Sequence, residues 1–294
     1  MSEDNNTTVA VLGLGAMGAR IAQRLLDAGW PLVVNNRTKA RADALLAAGA
    51  EWADSPRMAA TQADVVISIV TDSPAAEAVW FDAERGAALG LRPGQIAIEA
   101  STLTPAAIAS MGSRLAETGA VFLDAPVVGS RPQAEAGKLV SLVGGPEDAV
   151  EAARPILSAY SGGVKRCGAV GQGTVMKLMV NALFGIQVAA FSEIFGFAEA
   201  HGIDPQTAAA ALGGLPITSP ALAGVCGLIA QGRYAPMFPI DLVEKDFRYA
   251  LDAAAEAGAQ TPVAAATRRV YANAQREGLG ALNVHAVAKR YLKD

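Results

Sequence analysis

The sequence has few of the residues on which disulfide, metal and imidazole chemistry depend: two cysteines and two histidines in 294 residues. Cys167 and Cys226 are too few for a disulfide scaffold and lack metal-ligand spacing, so both read as buried thiols in a reducing cytoplasm. His201 precedes Gly202 at an expected helix end, where a ring suits the last carbonyls, and His285 reads as part of an ordinary apolar-periodic helix. Neither has a carboxylate or cysteine at ligand spacing. The expectation is no metal and no histidine base. A basic excess is missing too: 24 Lys and Arg against 28 Asp and Glu give a net charge of -4, which argues against nucleic acid or an anionic membrane as partner. Residues 1–8 are polar and acidic, without the basic and apolar parts of a secretory signal. The longest apolar region, 175–200, is broken by Lys177, Asn181, Gln187, Ser192 and Glu193, a pattern for a helix between domains rather than one in lipid. The expectation from these absences is a soluble cytoplasmic enzyme.

What is present is ample core. At 52% hydrophobic and 18% charged residues, 294 residues suit two globular domains. The expected architecture is α/β, a Rossmann-like doubly wound parallel sheet over 1–169, and an all-α C-terminal domain over 170–294 joined by a long shared helix. No repeat of solenoid period marks the Ala-rich second half.

Val9-Ala10-Val11-Leu12 reads as a buried parallel strand. It runs into Gly13-Leu14-Gly15-Ala16-Met17-Gly18 and then a helical pattern ending near Gly29. Between strand and helix, this glycine spacing predicts a dinucleotide loop: a tight turn, close backbone approach to a pyrophosphate, and close helix–strand packing. After the second strand, 32–35, an NAD-selective site would carry Asp or Glu. Here Asn36, Arg37 and Thr38 follow. No carboxylate repels a 2′-phosphate, and Arg37 can grip one with its planar fork, so NADP is favoured over NAD; the competing reading is a surface arginine opening the next helix.

Further strands are expected at 65–70, 95–99, 121–123, 139–143 and 164–167. The loop at Val70 and Thr71 should border the cofactor, Thr104 before Pro105 should cap a helix, and Thr102 could reach the nicotinamide end. In Asp124-Ala125-Pro126-Val127-Val128-Gly129-Ser130, successive backbone N–H groups can form an anion nest for a carboxylate; a plain structural loop is the alternative. Lys177 and Asn181 then share one face of an apolar helix, as a proton donor with an amide beside it, or as a lysine that snorkels to solvent.

Together these stretches, with Lys245-Asp246, resemble the β-hydroxyacid dehydrogenase family, which includes 3-hydroxyisobutyrate dehydrogenase and glyoxylate/succinic semialdehyde reductase. The resemblance spans nearly the whole chain. It implies hydride transfer between NADP(H) and a short hydroxy acid or aldehyde acid, with Lys177 as general acid/base and Asn181 beside it in catalysis. It also implies substrate contact from Asn181 and Gly129 and cofactor contact from Thr102 and Lys245; beside these, Val128, Ser130 and Lys245 are expected at the substrate, and the glycine loop, Asn36, Arg37, Thr38, Val70, Thr71 and Asp246 at the cofactor. A homodimer or homotetramer built through the helical domain is implied as well. Val128 and Ser130 stand where relatives commonly have Ser and Gly, and Asn283-Val284-His285 where they often show Asp and Ser. Imine reductases share the architecture but usually replace the lysine with Asp or Tyr; phosphogluconate dehydrogenases are longer. A non-catalytic NADP-binding sensor is the reading from outside enzymology.

Overall fold

The computed structural model describes residues 7–293, and the N-terminal stretch read above as no signal lies, through residue 6, outside them. The chain divides into two compact units between Lys177 and Leu178.

The first unit is built on one sheet, with nine strands among the described residues: β1 (Val9–Leu12), β2 (Leu32–Asn35), β3 (Glu51–Trp52), β4 (Val65–Ser68), β5 (Ile96–Glu99), β6 (Val121–Asp124), β7 (Val127–Val128), β8 (Leu139–Gly144) and β9 (Ser161–Gly168). Their order is β3-β2-β1-β4-β5-β6-β8-β7, with β9 paired to β8. Pairing is parallel from β3 through β6, then antiparallel from β6 to β8 and from β8 to β7. Alternation explains the two layers of helix. Val9, Val11, Val34 and Ile67 enter a cluster with Ile21 and Leu25 of helix Gly18–Asp27 and with Ile156 and Tyr160 of helix Glu147–Tyr160. Ala10, Leu12, Val33 and Val66 point the other way, against Ala59, Trp80, Ile108 and Met111. Both faces are covered, as a parallel sheet requires.

Two expectations about the sheet are corrected here, and one strand is added. The apolar run 65–70 is strand only to Ser68, because Ile69 and Val70 turn to pack against Gly13. Val127 and Val128 form a short strand on β8 rather than a loop, and Glu51–Trp52 adds an edge strand with no counterpart among those expected. Both are two residues long, too short to show a period.

The second unit is helical. It comprises the rest of helix Gln172–Ala200, then Pro205–Gly213, Pro220–Ala230, Ile240–Glu256, Pro262–Arg276 and the 3-10 helix Val284–Arg290. Phe195, Ile240, Phe247, Tyr271 and Val284 form its core; Phe247 stacks on Tyr271, whose hydroxyl donates to the Gly185 carbonyl at 2.9 Å. His201 meets its expectation: it follows the long helix, and its Nδ1 lies 2.9 Å from the Phe197 carbonyl. His285 does not. It is fully buried in the 3-10 segment, between Asn283 Nδ2 at its Nδ1 (2.9 Å) and the Arg233 carbonyl at its Nε2 (2.7 Å).

Candidate active site

Strand register brings the candidate cofactor groups level. Leu12 pairs with Asn35 on one side and Ser68 on the other; Ser68 pairs with Glu99, and Glu99 with Asp124. The loops after β1, β2, β4, β5 and β6 therefore leave the sheet at one edge. The chain passes from β1 to β2 on one side and returns to β4 on the other, which makes β1/β4 the switch point where such sheets bind ligands.

At that point Gly13 has φ of +100°, a backbone that strains any side chain, and a Cβ there would strike the Ile69 carbonyl. Gly18 lies so close to Gly13 that a Cβ would strike its carbonyl. A Cβ on Gly15 would meet no protein atom within 4 Å, so the fold itself does not require glycine there, whereas a closely approaching pyrophosphate does. Helix Gly18–Asp27 begins without a side-chain cap, although Ser55, Asp72, Thr104 and Ser219 cap the helices that follow them. Its first N–H groups suit phosphate oxygens. The loop residues thus fit a dinucleotide.

Asn36 braces this loop: Leu14 N–H donates to its Oδ1 at 3.0 Å, and its Nδ2 donates to the Thr38 carbonyl at 2.9 Å. Arg37 and Thr38 beyond it are exposed, and Arg37 forms no ion pair among the described residues. Val70 N–H donates to Ser101 Oγ at 2.7 Å, which ties the turn that carries Thr71 to the turn that carries Thr102. Thr104 caps its helix through Ala107 N–H, as the sequence predicts. Beneath these turns lies Glu99, fully buried, accepting from Trp80 Nε1–H and Ser101 N–H at 2.8 Å each. Burial pushes its carboxyl above the usual range. Sequence reasoning missed this support, although a carboxylate ending an apolar strand is a visible signal.

The expected anion nest is corrected in part. Gly129, with φ of +121°, follows β7 as an exposed turn, but Ser130 N–H donates to Gln133 Oε1 at 3.0 Å in a capping box. That amide serves the helix Arg131–Glu135 instead of a ligand. Val128 is half-buried and paired with Val140.

Lys177 lies in the first turns of helix Gln172–Ala200 and is 8% exposed, so it does not snorkel into bulk water. Asn181 follows one turn later on the same helix. In the second unit, Asn181 Nδ2 donates to Asp246 Oδ2 at 2.6 Å, and Lys245 Nζ lies 3.1 Å from Asp246 Oδ1 and 4.9 Å from the Tyr249 ring centre. Asp246 therefore orients the Asn181 amide, a partnership across 65 positions that sequence spacing did not disclose. Among the described residues no cluster of His, Cys, Asp and Glu could hold a metal.

Family models match both parts of the chain. Residues 8–171 match the family model described as the NAD binding domain of 6-phosphogluconate dehydrogenase. Residues 171–291 match that for the NAD-binding domain of NADP-dependent 3-hydroxyisobutyrate dehydrogenase. The chain is 32% identical to glyoxylate/succinic semialdehyde reductase 2 of Arabidopsis thaliana, over 97% of this chain and 79% of that protein. A solved 3-hydroxyisobutyrate dehydrogenase of Mycobacterium tuberculosis with L-serine aligns with a TM-score of 0.88 at 29% identity, covering 97% of this chain and 98% of that one. An imine reductase from a Pseudomonas species aligns with a TM-score of 0.66 at 26% identity, over 97% and 99% of the two chains. The chain belongs to the β-hydroxyacid dehydrogenase family, NAD(P)-dependent oxidoreductases that act on the CH–OH groups of small substrates.

Proposed function

We propose that the protein is an NADP-dependent dehydrogenase/reductase that interconverts a short hydroxy acid and its carbonyl form, with Lys177 as the general acid/base. The observation that carries this reading is the burial of Lys177 on a helix whose first turn is fixed to the sheet edge where the cofactor loops emerge. A lysine ammonium has three N–H donors and no acceptor, and can pass a proton to an oxygen on which charge develops. The bound dinucleotide supplies the hydride or accepts it. Gly13, Gly15 and the uncapped helix start would hold its pyrophosphate, with Val70, Thr71 and Thr102 alongside. Arg37 and Thr38, exposed beyond Asn36, would take the 2′-phosphate.

On the substrate side, the relatives' names point to small acids, among them glyoxylate, succinic semialdehyde and L-serine. Gly129 and the Ser130 hydroxyl would receive a carboxylate, and Asn181 would orient the reacting group. The apolar Val128 supports a second reading, an imine reductase, and Lys177 in place of Asp or Tyr weighs against it. Exposed Met179, Leu183 and Phe197 on the long helix, at 59%, 59% and 67%, support a homodimer or homotetramer, which sedimentation would resolve. The deciding assay follows nicotinamide absorbance with NADPH and NADH over short aldehyde acids, hydroxy acids and cyclic imines. Turnover of aldehyde acids with NADPH is expected; turnover confined to imines, or to NADH, would overturn the corresponding half of the reading.

A further inference from the structure

The helix that carries Lys177 is not capped in the way its neighbours are. Elsewhere the cap is the adjacent residue, as with Ser55, Thr104 and Ser219. Here it is Asp124, at the end of β6 and fully buried. Its two oxygens are shared between two backbone donors: Gly171 N–H reaches Oδ1 at 2.7 Å and Thr174 N–H reaches Oδ2 at 2.6 Å. The same turn is pressed against the sheet, since a Cβ on Gly173 would strike the Leu142 carbonyl, Gly144 N and the Asp124 carbonyl.

Two bonds from one rigid carboxylate fix the helix in rotation as well as position, which a single local cap does not. Thr174 precedes Lys177 by three residues, so the two side chains lie on neighbouring positions of one face. Any rotation of the first turn therefore swings the ammonium. A desolvated carboxylate is a costly cap, and burial does push the Asp124 carboxyl up, opposed by the Gly171 and Thr174 N–H groups. A local Ser or Thr would satisfy the helix more cheaply but would leave it unattached to β6.

We propose that Asp124 is a positioning residue: it locks the Lys177 helix to the end of β6, and so sets where the ammonium meets the substrate carbonyl. The proposal rests on the assignment of Lys177 as the acid. The test is Asp124→Asn, whose single carbonyl oxygen can serve only one of the two donors, made in the wild-type and Lys177→Ala backgrounds. In the wild-type background kcat should fall about ten- to a hundredfold, as small misplacements of reacting groups do. Substrate KM and the dinucleotide Kd should stay within about twofold, as expected when binding contacts are untouched. In the Lys177→Ala background the same change should cost no further kcat, because the group it positions is gone. Wild-type kcat in Asp124→Asn, or equal losses in both backgrounds, would overturn the proposal. If Asp124→Asn does not fold, Thr174→Pro removes one donor at a first-turn position that tolerates proline and is read by the same criteria. A failed acid assignment shows separately, as full turnover in Lys177→Ala alone.

Discussion

In the sheet unit the candidate cofactor groups are turns and backbone N–H groups held level by strand register, with Gly13 and Gly18 setting the approach of strand to helix. In the helical unit the candidate group Asn181 is a side chain held by another side chain, Asp246, and the same kind of pairing recurs away from the site, with Arg268 on Glu244 at 2.7 Å and His285 on Asn283. Backbone placement tolerates substitution badly at a few glycines and well elsewhere. Side-chain placement spreads its sensitivity over pairs distant in sequence.

Four substitutions or conditions would break or sharpen that contrast. Gly18→Val should have the largest effect. Its side chain would occupy the Gly13 carbonyl position, and dinucleotide affinity measured by calorimetry should drop at least about a hundredfold, roughly 2.7 kcal/mol. Binding at wild-type strength would show the turn to be more plastic than described. Asn283→Ala tests the helical side. Asn283 Oδ1 accepts from Met237 N–H and Phe238 N–H at 3.2 and 2.7 Å, and stranding these amides should cost about 2 kcal/mol by denaturant unfolding. An unchanged midpoint would mean that the loop is held by other bonds.

Arg37→Ala should weaken NADPH about tenfold and leave NADH nearly unchanged, the loss of one charge-assisted contact. Equal losses for both cofactors would give Arg37 a structural role instead. The smallest effect concerns pH. The amides of Met237 and Phe238 hold Asn283 Oδ1, so its Nδ2 faces His285 Nδ1 and keeps that atom an unprotonated acceptor. Burial lowers the imidazole below its ordinary value of 6.5. The unfolded chain then binds the extra proton first. Stability is fully present above about pH 6.5, falls as pH drops below it, and levels off once the folded value is passed. His285→Gln should flatten this dependence between pH 7.5 and 5.5, and an unaltered slope would assign it to another group.

The same contrast explains what was legible. The glycine loop and the main parallel strands follow from apolar runs ended by turn residues, because backbone geometry imposes local rules on composition. The capping role of Thr104 was readable for the same reason. Asp124 stood inside a recognised stretch, yet its partners lie 47 and 50 positions away, and no local pattern marks such a pair. The bond from Asn181 to Asp246 spans 65 positions and is marked by no local pattern either. His285 looked like one more position of an apolar helix, because alternation of small apolar residues cannot distinguish a 3-10 turn buried on every side.

The most direct measurement takes Lys177→Ala and records single-turnover reduction and NADPH binding on the same preparation. The account predicts wild-type binding, with the chemical step slowed about 10²- to 10⁴-fold, the usual contribution of a positioned acid. A chemical step at the wild-type rate would contradict it.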